Sequence, residues 1–325
     1  MKKALLAALC VAWVLYGGGP ANAQAQDYPN RPIKVVIPFP PGGPTDGMAR
    51  IISERLNAVL GQPIVVENRG GAGGGVGGKF VAEADPDGYT LLISPGGALT
   101  TGPALHKDLG YDPEKAFAPV GELSETPLIV SVNPALPLKS LGDVIAYAKA
   151  NPGKLNWGTQ GTGTAPSLLC ELLKLDTGVN IVQVPYRGTG PMLVAALAGE
   201  VQMIADPSTT SLPNIKAGKL RPIAIAGATR DTQLPDVPTV VEEGYPKLQA
   251  PFWLGVVAPA GTPPAIINKL NAAFRTAMND PTTVKHLGEL DTYVKTGSPE
   301  DFRKMLASEL VLWTGVIKAA HIQAE

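Results

Sequence analysis

The chain has 325 residues, with 27 lysines and arginines against 28 aspartates and glutamates, for a formal net charge of −1. That balance offers no basic footprint for nucleic acid. The length suffices for two lobes, and two cysteines, Cys10 and Cys170, exclude a disulfide-rich scaffold.

Met1-Lys2-Lys3 opens the chain. An apolar run follows from Ala4 to about Tyr16, and small residues lead to Ala21-Asn22-Ala23. Charged n-region, apolar h-region and A-x-A cleavage site stand in signal-peptide order. The run is short for a membrane span, which takes about 20 residues. Cys10 lies within the h-region behind Leu9, which argues against a lipoprotein. Cleavage near Ala23 leaves 302 residues and, by removing two lysines, takes the net charge from −1 to −3. Cys170 is then a lone thiol, so the core must supply the stability. No later stretch is long and apolar enough to cross a bilayer, so an exported, soluble protein is expected.

Strand and helix signals alternate from there on. Residues 33–37 read as a strand, and residues 38–45 as a loop. A helix follows, with Met48, Ile52, Leu56 and Val59 on one stripe, stopped by Gly61. Residues 63–67 and 89–93 are further strands, apolar on both faces, as in a sheet covered by helices on both sides. The same grammar restarts with a strand near 127–133. Ser140 caps a helix ending at Asn151-Pro152-Gly153. Strands at 155–158 and 180–184 alternate with helices starting near Thr164 and at Gly190-Pro191, the latter ended by Gly199. Short strands at 201–205 and 222–226 complete a second α/β unit. Residues 252–258 form one more strand, followed by three helical stretches. The last begins at Ser298-Pro299-Glu300-Asp301, and these helices are expected to return to cover the first unit. The predicted division is residues 1–23 as signal peptide, 24–124 with 252–325 as lobe 1, and 125–251 as lobe 2. The crossovers fall near 122–130 and 225–252.

Two loops stand out. Phe39-Pro40-Pro41-Gly42-Gly43-Pro44-Thr45-Asp46 joins the first strand to the first helix. Open α/β sheets bind ligands at such strand ends. Glycines allow close backbone approach, and the helix start offers free N–H groups and partial positive charge. Thr159-Gln160-Gly161-Thr162-Gly163-Thr164 holds the same place in the second unit, with hydroxyls to donate to ligand oxygens. Phe39, Pro40, Gly42, Gly43, Thr45, Asp46, Thr159, Gly161, Thr162, Gly163 and Thr164 are therefore candidate binding residues; as ordinary turns, these loops need no ligand. Tyr186 and Arg187, between a strand and a helix, are placed to wall a pocket and pair with an anion. Asp206 follows the 201–205 strand and is placed to accept bonds from a ligand or from the opposite lobe. Ser94 and Gly96, at the end of the 89–93 strand, complete the candidates.

The glycine run from Arg69 to Phe80 fits G-x-x-x-x-G-K across Gly73 to Lys79, but Phe80 replaces the hydroxyl that a P-loop needs. It also fits G-x-G-x-x-G, without an acidic residue about 20 residues on. A close-packed turn into a helix is the expected role, and no cofactor is expected. His106, His286 and His321 show no metal-ligand spacing, and no serine lies in G-x-S-x-G. Cys170 sits among leucines as core packing. An enzyme is not expected.

Tyr28-Pro29-Asn30-Arg31-Pro32-Ile33, the loop from Pro38 to Asp46, Glu67-Asn68-Arg69 and Asp85-Pro86-Asp87-Gly88-Tyr89-Thr90 resemble the Bug family. So do Val184-Pro185-Tyr186-Arg187-Gly188, residues 215–220 and Ala258-Pro259-Ala260-Gly261-Thr262-Pro263. The Bug proteins are the periplasmic binding components of tripartite tricarboxylate transporters. The resemblance covers essentially the whole chain after Ala23, in order. It implies an α/β, two-lobed type II periplasmic-binding-protein fold, each lobe a mixed sheet flanked by helices, with the ligand cleft between. It implies a periplasmic location, a small carboxylate ligand and inner-membrane transporter subunits as partners; a monomer is the expected form for a diffusing receptor. In the family, the two loops hold the ligand largely through backbone amides and bridging waters. Two departures stand out: Pro95 to Thr100, and Ser167-Leu168, replace positions that often carry polar residues or histidine. A less polar wall suits an aromatic carboxylate such as a benzene dicarboxylate. The alternatives are a ligand-sensing receptor for a membrane kinase and, more remotely, an exported enzyme acting on a small acid.

Overall fold

A computed structural model describes residues 27–105, 109–320 and 322. The predicted signal segment with Cys10, and His106 and His321, lie outside the described residues. The first stretch carries β1 (Ile33–Ile37), α1 (Pro44–Leu60), β2 (Ile64–Asn68), α2 (Gly75–Ala82) and β3 (Thr90–Ser94). A turn of π-helix, Gly97–Thr101, runs into α3 (Gly102–Leu105), followed by α4 (Pro113–Ala116) and β4 (Phe117–Thr126). The middle stretch carries β5 (Leu128–Val132), α5 (Leu141–Ala150), β6 (Asn156–Thr159), α6 (Ala165–Thr177) and β7 (Val182–Pro185). It continues through α7 (Thr189–Ala198), β8 (Met203–Pro207), α8 (Ser208–Lys216) and β9 (Arg221–Ile225). The last stretch is β10 (Phe252–Pro259), α9 (Pro264–Met278), α10 (Pro281–Glu289), β11 (Tyr293–Val294) and α11 (Pro299–Ala319).

Two mixed sheets result, ordered β11-β4-β10-β3-β1-β2 and β7-β6-β8-β5-β9. In the first, β1 lies between parallel neighbours β2 and β3, and β10 runs antiparallel beside β3. In the second, β6 lies between parallel neighbours β7 and β8, and β5 runs antiparallel beside β8. The two sheets thus repeat one arrangement, and β1 and β6 are equivalent strands.

Local chemistry explains most elements. Met48, Ile52 and Leu56 bury the predicted stripe of α1, and Gly61 ends the helix in the left-handed region at φ 68°. The glycine run is a packing device. A Cβ on Gly77 would lie 2.8 Å from the Pro38 side chain and 2.9 Å from the Arg69 carbonyl oxygen, and one on Gly78 would lie 2.5 Å from Tyr111 Oη. Helix α2 can therefore press onto β1 only because these positions lack side chains. Strand β4 carries no clear sequence signal, with Pro119, Gly121 and four polar residues in ten. It forms because all eight residues of β10 pair with it, and tertiary pairing outweighs weak propensity. Pro119 is tolerated because β11 pairs β4 only at Ser124 and Glu125, which leaves the proline an edge position.

The last helix departs from expectation. Its start is fixed by a capping box between Ser298 and Asp301. Phe302 packs over Gly255, where a Cβ would lie 2.1 Å from the ring, and joins the core of the first sheet. Trp313, Val316 and Ile317 instead join the core of the second sheet with Leu168 and Leu169. A helix of 21 residues is about 30 Å long and outruns one core. Helix α11 therefore spans both bodies instead of covering the first alone.

The chain passes between sheets at Pro127, and returns through residues 226–251. Near the first crossover, two buried carboxyls face each other: Asp231 from the second body and Asp291 from the first. Burial, and then the neighbouring Asp231 carboxyl, push the Asp291 carboxyl above the usual carboxylate range. Thr232 and Tyr293 hydroxyls bond across the same junction at 3.1 Å.

Gly77→Ala should lower stability by about 1–3 kcal/mol through overpacking, read as a lower urea midpoint at unchanged slope. An unchanged midpoint would refute the close-packing account of the glycine run.

Candidate ligand-binding cleft

Because β1 and β6 are each flanked by parallel neighbours, the loops after them leave the sheets where ligand sites form in open α/β folds. These loops face each other across the gap between the sheets. Phe39 and Gln160 border all three connected spaces there. The inner space, about 120 Å³, lies between residues 39–45 and residues 187–191. A recess of about 20 Å³ shares Pro95 and Phe252 with it. An open vestibule of about 800 Å³ is flanked by residues 70–74 and 185–188.

Three helices begin at this gap. The N-caps of α1, α6 and α7 are Gly43, Thr164 and Gly188, and none uses its side chain to cap. Thr164 Oγ1 donates instead to the Gly161 carbonyl at 2.8 Å. The first-turn N–H groups therefore point at the gap without side-chain acceptors, each end carrying about half a positive charge. Gly188 is held at φ 99°, ψ −179°, a region essentially restricted to glycine, which lets the chain turn into α7 there. Arg187 borders the inner space and the vestibule and makes no salt bridge among the described residues. The arrangement suits an anion held by dipoles and backbone donors.

Buried polar groups hold the loops still. Asp46 accepts from the Gly42 N–H at 3.0 Å, from Asn68 Nδ2 at 3.0 Å and from Arg50 Nε. Burial alone would raise its carboxyl. The bonds from Arg50, Gly42 and Asn68 outweigh burial and hold it below the usual range. In the second lobe, Gln160 Nε2 donates to Asp206 Oδ1 at 2.6 Å, and Thr210 Oγ1 donates to the other oxygen. Asp206 is wholly buried, and burial pushes it up to about 7 against the pull of those two donors.

Phe39, Pro40, Gly42, Gly43 and Thr45 border the inner space, with Arg187 opposite. Gly96 and Thr164 border the recess, and Gly161, Thr162 and Tyr186 the vestibule. Five predicted residues stand behind the lining. Asp46 spends both oxygens on its own lobe. Asp206 bonds neither the opposite lobe nor the gap, because Gln160 and Thr210 use both its oxygens. Ser94 is fully buried and donates to the Pro95 carbonyl. Thr159 is fully buried. Gly163 packs against Leu105, 2.7 Å from where a Cβ would stand.

Sequence reasoning missed Gln160, Thr101, Phe252, Trp253, Glu309 and Trp313. Gln160 sat within a chosen loop, and strand alternation past Thr159 aims it outward. Glu309 had a signal too: it interrupts the apolar stripe of α11 four residues before Trp313. The expected low-polarity wall beyond Ser94 is corrected here. Glu309 reaches that wall from a distant helix, and the π-turn adds two threonines. Ser167, at the second departure, donates to Gln183 Oε1 at 2.8 Å and is buried.

Residues 48–322 match the family model described as tripartite tricarboxylate transporter family receptor. Protein BugT of Bordetella pertussis is 38% identical over 319 residues, 98% of each chain. Two solved Rhodopseudomonas palustris proteins are each 36% identical. One, bound to adipate, superposes with a TM-score of 0.86 over 91% of this chain and 99% of its own. The other, MatC with bound malate, does so with 0.84 over 89% and 100%.

The Asp206 shift fixes a pH dependence. A carboxyl raised in the folded state contributes stability that is complete below its unfolded pKa of about 3.9 and lost as pH rises through about 7. One such group gives a slope of at most ~1.4 kcal/mol per pH unit. Asp206→Asn can keep both contacts, accepting from Gln160 and donating to Thr210. Denaturant melts from pH 4 to 7 should show a shallower decline for the variant; parallel curves would reject the assignment.

Proposed function

The chain belongs to the tripartite tricarboxylate transporter receptor family, and from that premise we propose that it captures a small carboxylate between its lobes and presents the closed form to membrane transporter subunits. Three helix N-termini without side-chain caps, opening on one gap with Arg187, carry this reading. They supply partial positive charge and backbone donors for a carboxylate with no metal or cofactor required. Relatives solved with adipate and malate support the ligand class.

The lobes act as bodies that swing about the crossovers, one built on residues 27–124 and 252 onward to the first half of α11, the other on 125–251 with the last turns of α11 packed against it. Their rims meet at glycines. A Cβ on Gly73 would lie 3.4 Å from the Thr162 carbonyl oxygen, and one on Gly188 would lie 3.8 Å from Pro40. A ligand touching both loops gains contacts in the closed form that the open form lacks, and that difference drives closure. Gln160 borders every part of the cleft and is oriented from behind by Asp206, so it is the side chain on which ligand positioning rests. The protein works as a periplasmic monomer in this reading, with the signal segment removed.

A thermal-shift panel of aliphatic, aromatic and heterocyclic carboxylates tests it. A ligand at 100 times its Kd adds about 2.7 kcal/mol to the folded state, and X-ray scattering should show a smaller radius of gyration when it binds. Gln160→Ala should weaken that ligand by roughly tenfold or more, the cost of about one lost hydrogen bond. No shift with any acid, in protein shown by denaturing mass spectrometry to carry no small acid, would overturn the proposal.

A further inference from the structure

The recess beside the inner space is bordered by the start of α6 at Thr164, Ala165 and Pro166, and it adds a carboxyl that the inner space lacks among the described residues. Glu309, half-buried on α11, borders it. Its Oε2 accepts from Thr100 Oγ1 at 3.1 Å and from Trp313 Nε1 at 3.3 Å. Burial pushes the carboxyl up, while donors from Trp253, Thr100 and Trp313 oppose that rise. Among the described residues no lysine, arginine or histidine borders the recess, so within it none of them is a counter-ion to Glu309. Thr101 borders it as well, 1% exposed, and its hydroxyl finds no partner among the described residues. The π-turn sets these two threonines side by side, one spent on Glu309 and the next unspent. Gly96 keeps the approach clear, since a Cβ there would lie 2.9 Å from Thr100 Oγ1 and 3.7 Å from Glu309 Oε2. The indoles of Trp253 and Trp313 and the ring of Phe252 complete the lining.

We propose that this recess seats an ammonium group, so that the ligand is a zwitterion whose carboxylate and amine lie at opposite ends. The inference rests on the carboxylate reading of the cleft and adds the far end of the same ligand. An ammonium supplies the missing counter-ion to Glu309, donates to the unspent Thr101 hydroxyl, and is attracted by aromatic faces. About 20 Å³ accommodates one water-sized group, which fits an ammonium and excludes a guanidinium. A second carboxylate in the same place would face Glu309 as a like charge. An alkyl end would leave Glu309 without a counter-ion and Thr101 without a partner.

Calorimetric titration of three series matched in chain length decides the point: alkanoates, α,ω-dicarboxylates and ω-amino acids of three to six carbons. One ω-amino acid should bind at least tenfold tighter than the alkanoate and the dicarboxylate of the same length. Glu309→Gln, which retains an oxygen for Thr100 and Trp313, should remove that advantage and raise the standing of the dicarboxylate. Thr101→Val, close in shape, should weaken the amino acid alone, by several-fold. Equal or tighter binding of the dicarboxylate by the unaltered protein overturns the inference whatever the variants do. So does an amine preference that survives Glu309→Gln. If alkanoates or dicarboxylates bind and the amine adds nothing, only this inference fails. If no acid of any series binds, the carboxylate reading fails with it.

Discussion

Strand β10 is the constraint on which the rest of the molecule depends. It returns the chain from the second body and lies antiparallel between β3 and β4, paired along its whole length on the β4 side. That pairing turns a three-stranded parallel sheet into a mixed one and gives β4 its reason to be a strand. It also carries Phe252 and Trp253 to the recess of the cleft, and sets Gly255 under Phe302, which aims α11 across both cores. A helix anchored in this way delivers Glu309 and Trp313 to a site more than fifty residues away along the chain. The second crossover runs beside the first, where the Ala226 N–H donates to the Leu128 carbonyl and the Ala250 N–H to the Ala226 carbonyl.

The cleft is organised by backbone more than by charged side chains. Helix starts and one arginine face the inner space, while the acids around it are withdrawn. Asp46 is kept ionised by three donors and stiffens the first loop. Asp206 lies buried behind Gln160, and burial raises it. Both fix geometry from behind the lining, as ligand-holding groups require. The cost is concentrated in buried carboxyls, including Asp291 against Asp231 at the junction of the two bodies. Glu309 differs because it reaches the lining itself, so it bears on what the cleft accepts.

Much of this was legible in the sequence, for particular reasons. The stripe of Met48, Ile52 and Leu56, the stops at Gly61 and Gly199, and the cap at Ser298 are local signals, and local physics honours them. The two strand-to-helix loops were legible because glycine, proline and hydroxyl residues at a strand end have few other uses. Strand β4 was not legible, since Pro119, Gly121 and Ser124 form a strand only where a partner is supplied. The inward or outward sense of Asp46, Thr159 and Asp206 was not legible either. A polar residue at a strand end serves a ligand or its own loop equally well, and only the neighbouring donors decide.

The sequence by itself determined the alternation of elements, their caps, the repeat of one α/β arrangement and the two loops that face the cleft. Each of these depends on residues within a few turns of one another. The tertiary structure alone decided which side chains line the cleft beyond those loops. Gln160 needed Asp206 to orient it, and Trp253, Thr101 and Glu309 come from three separate segments that only the pairing of β10 brings together. Contacts of that kind depend on distances through space, and no spacing along the chain records them.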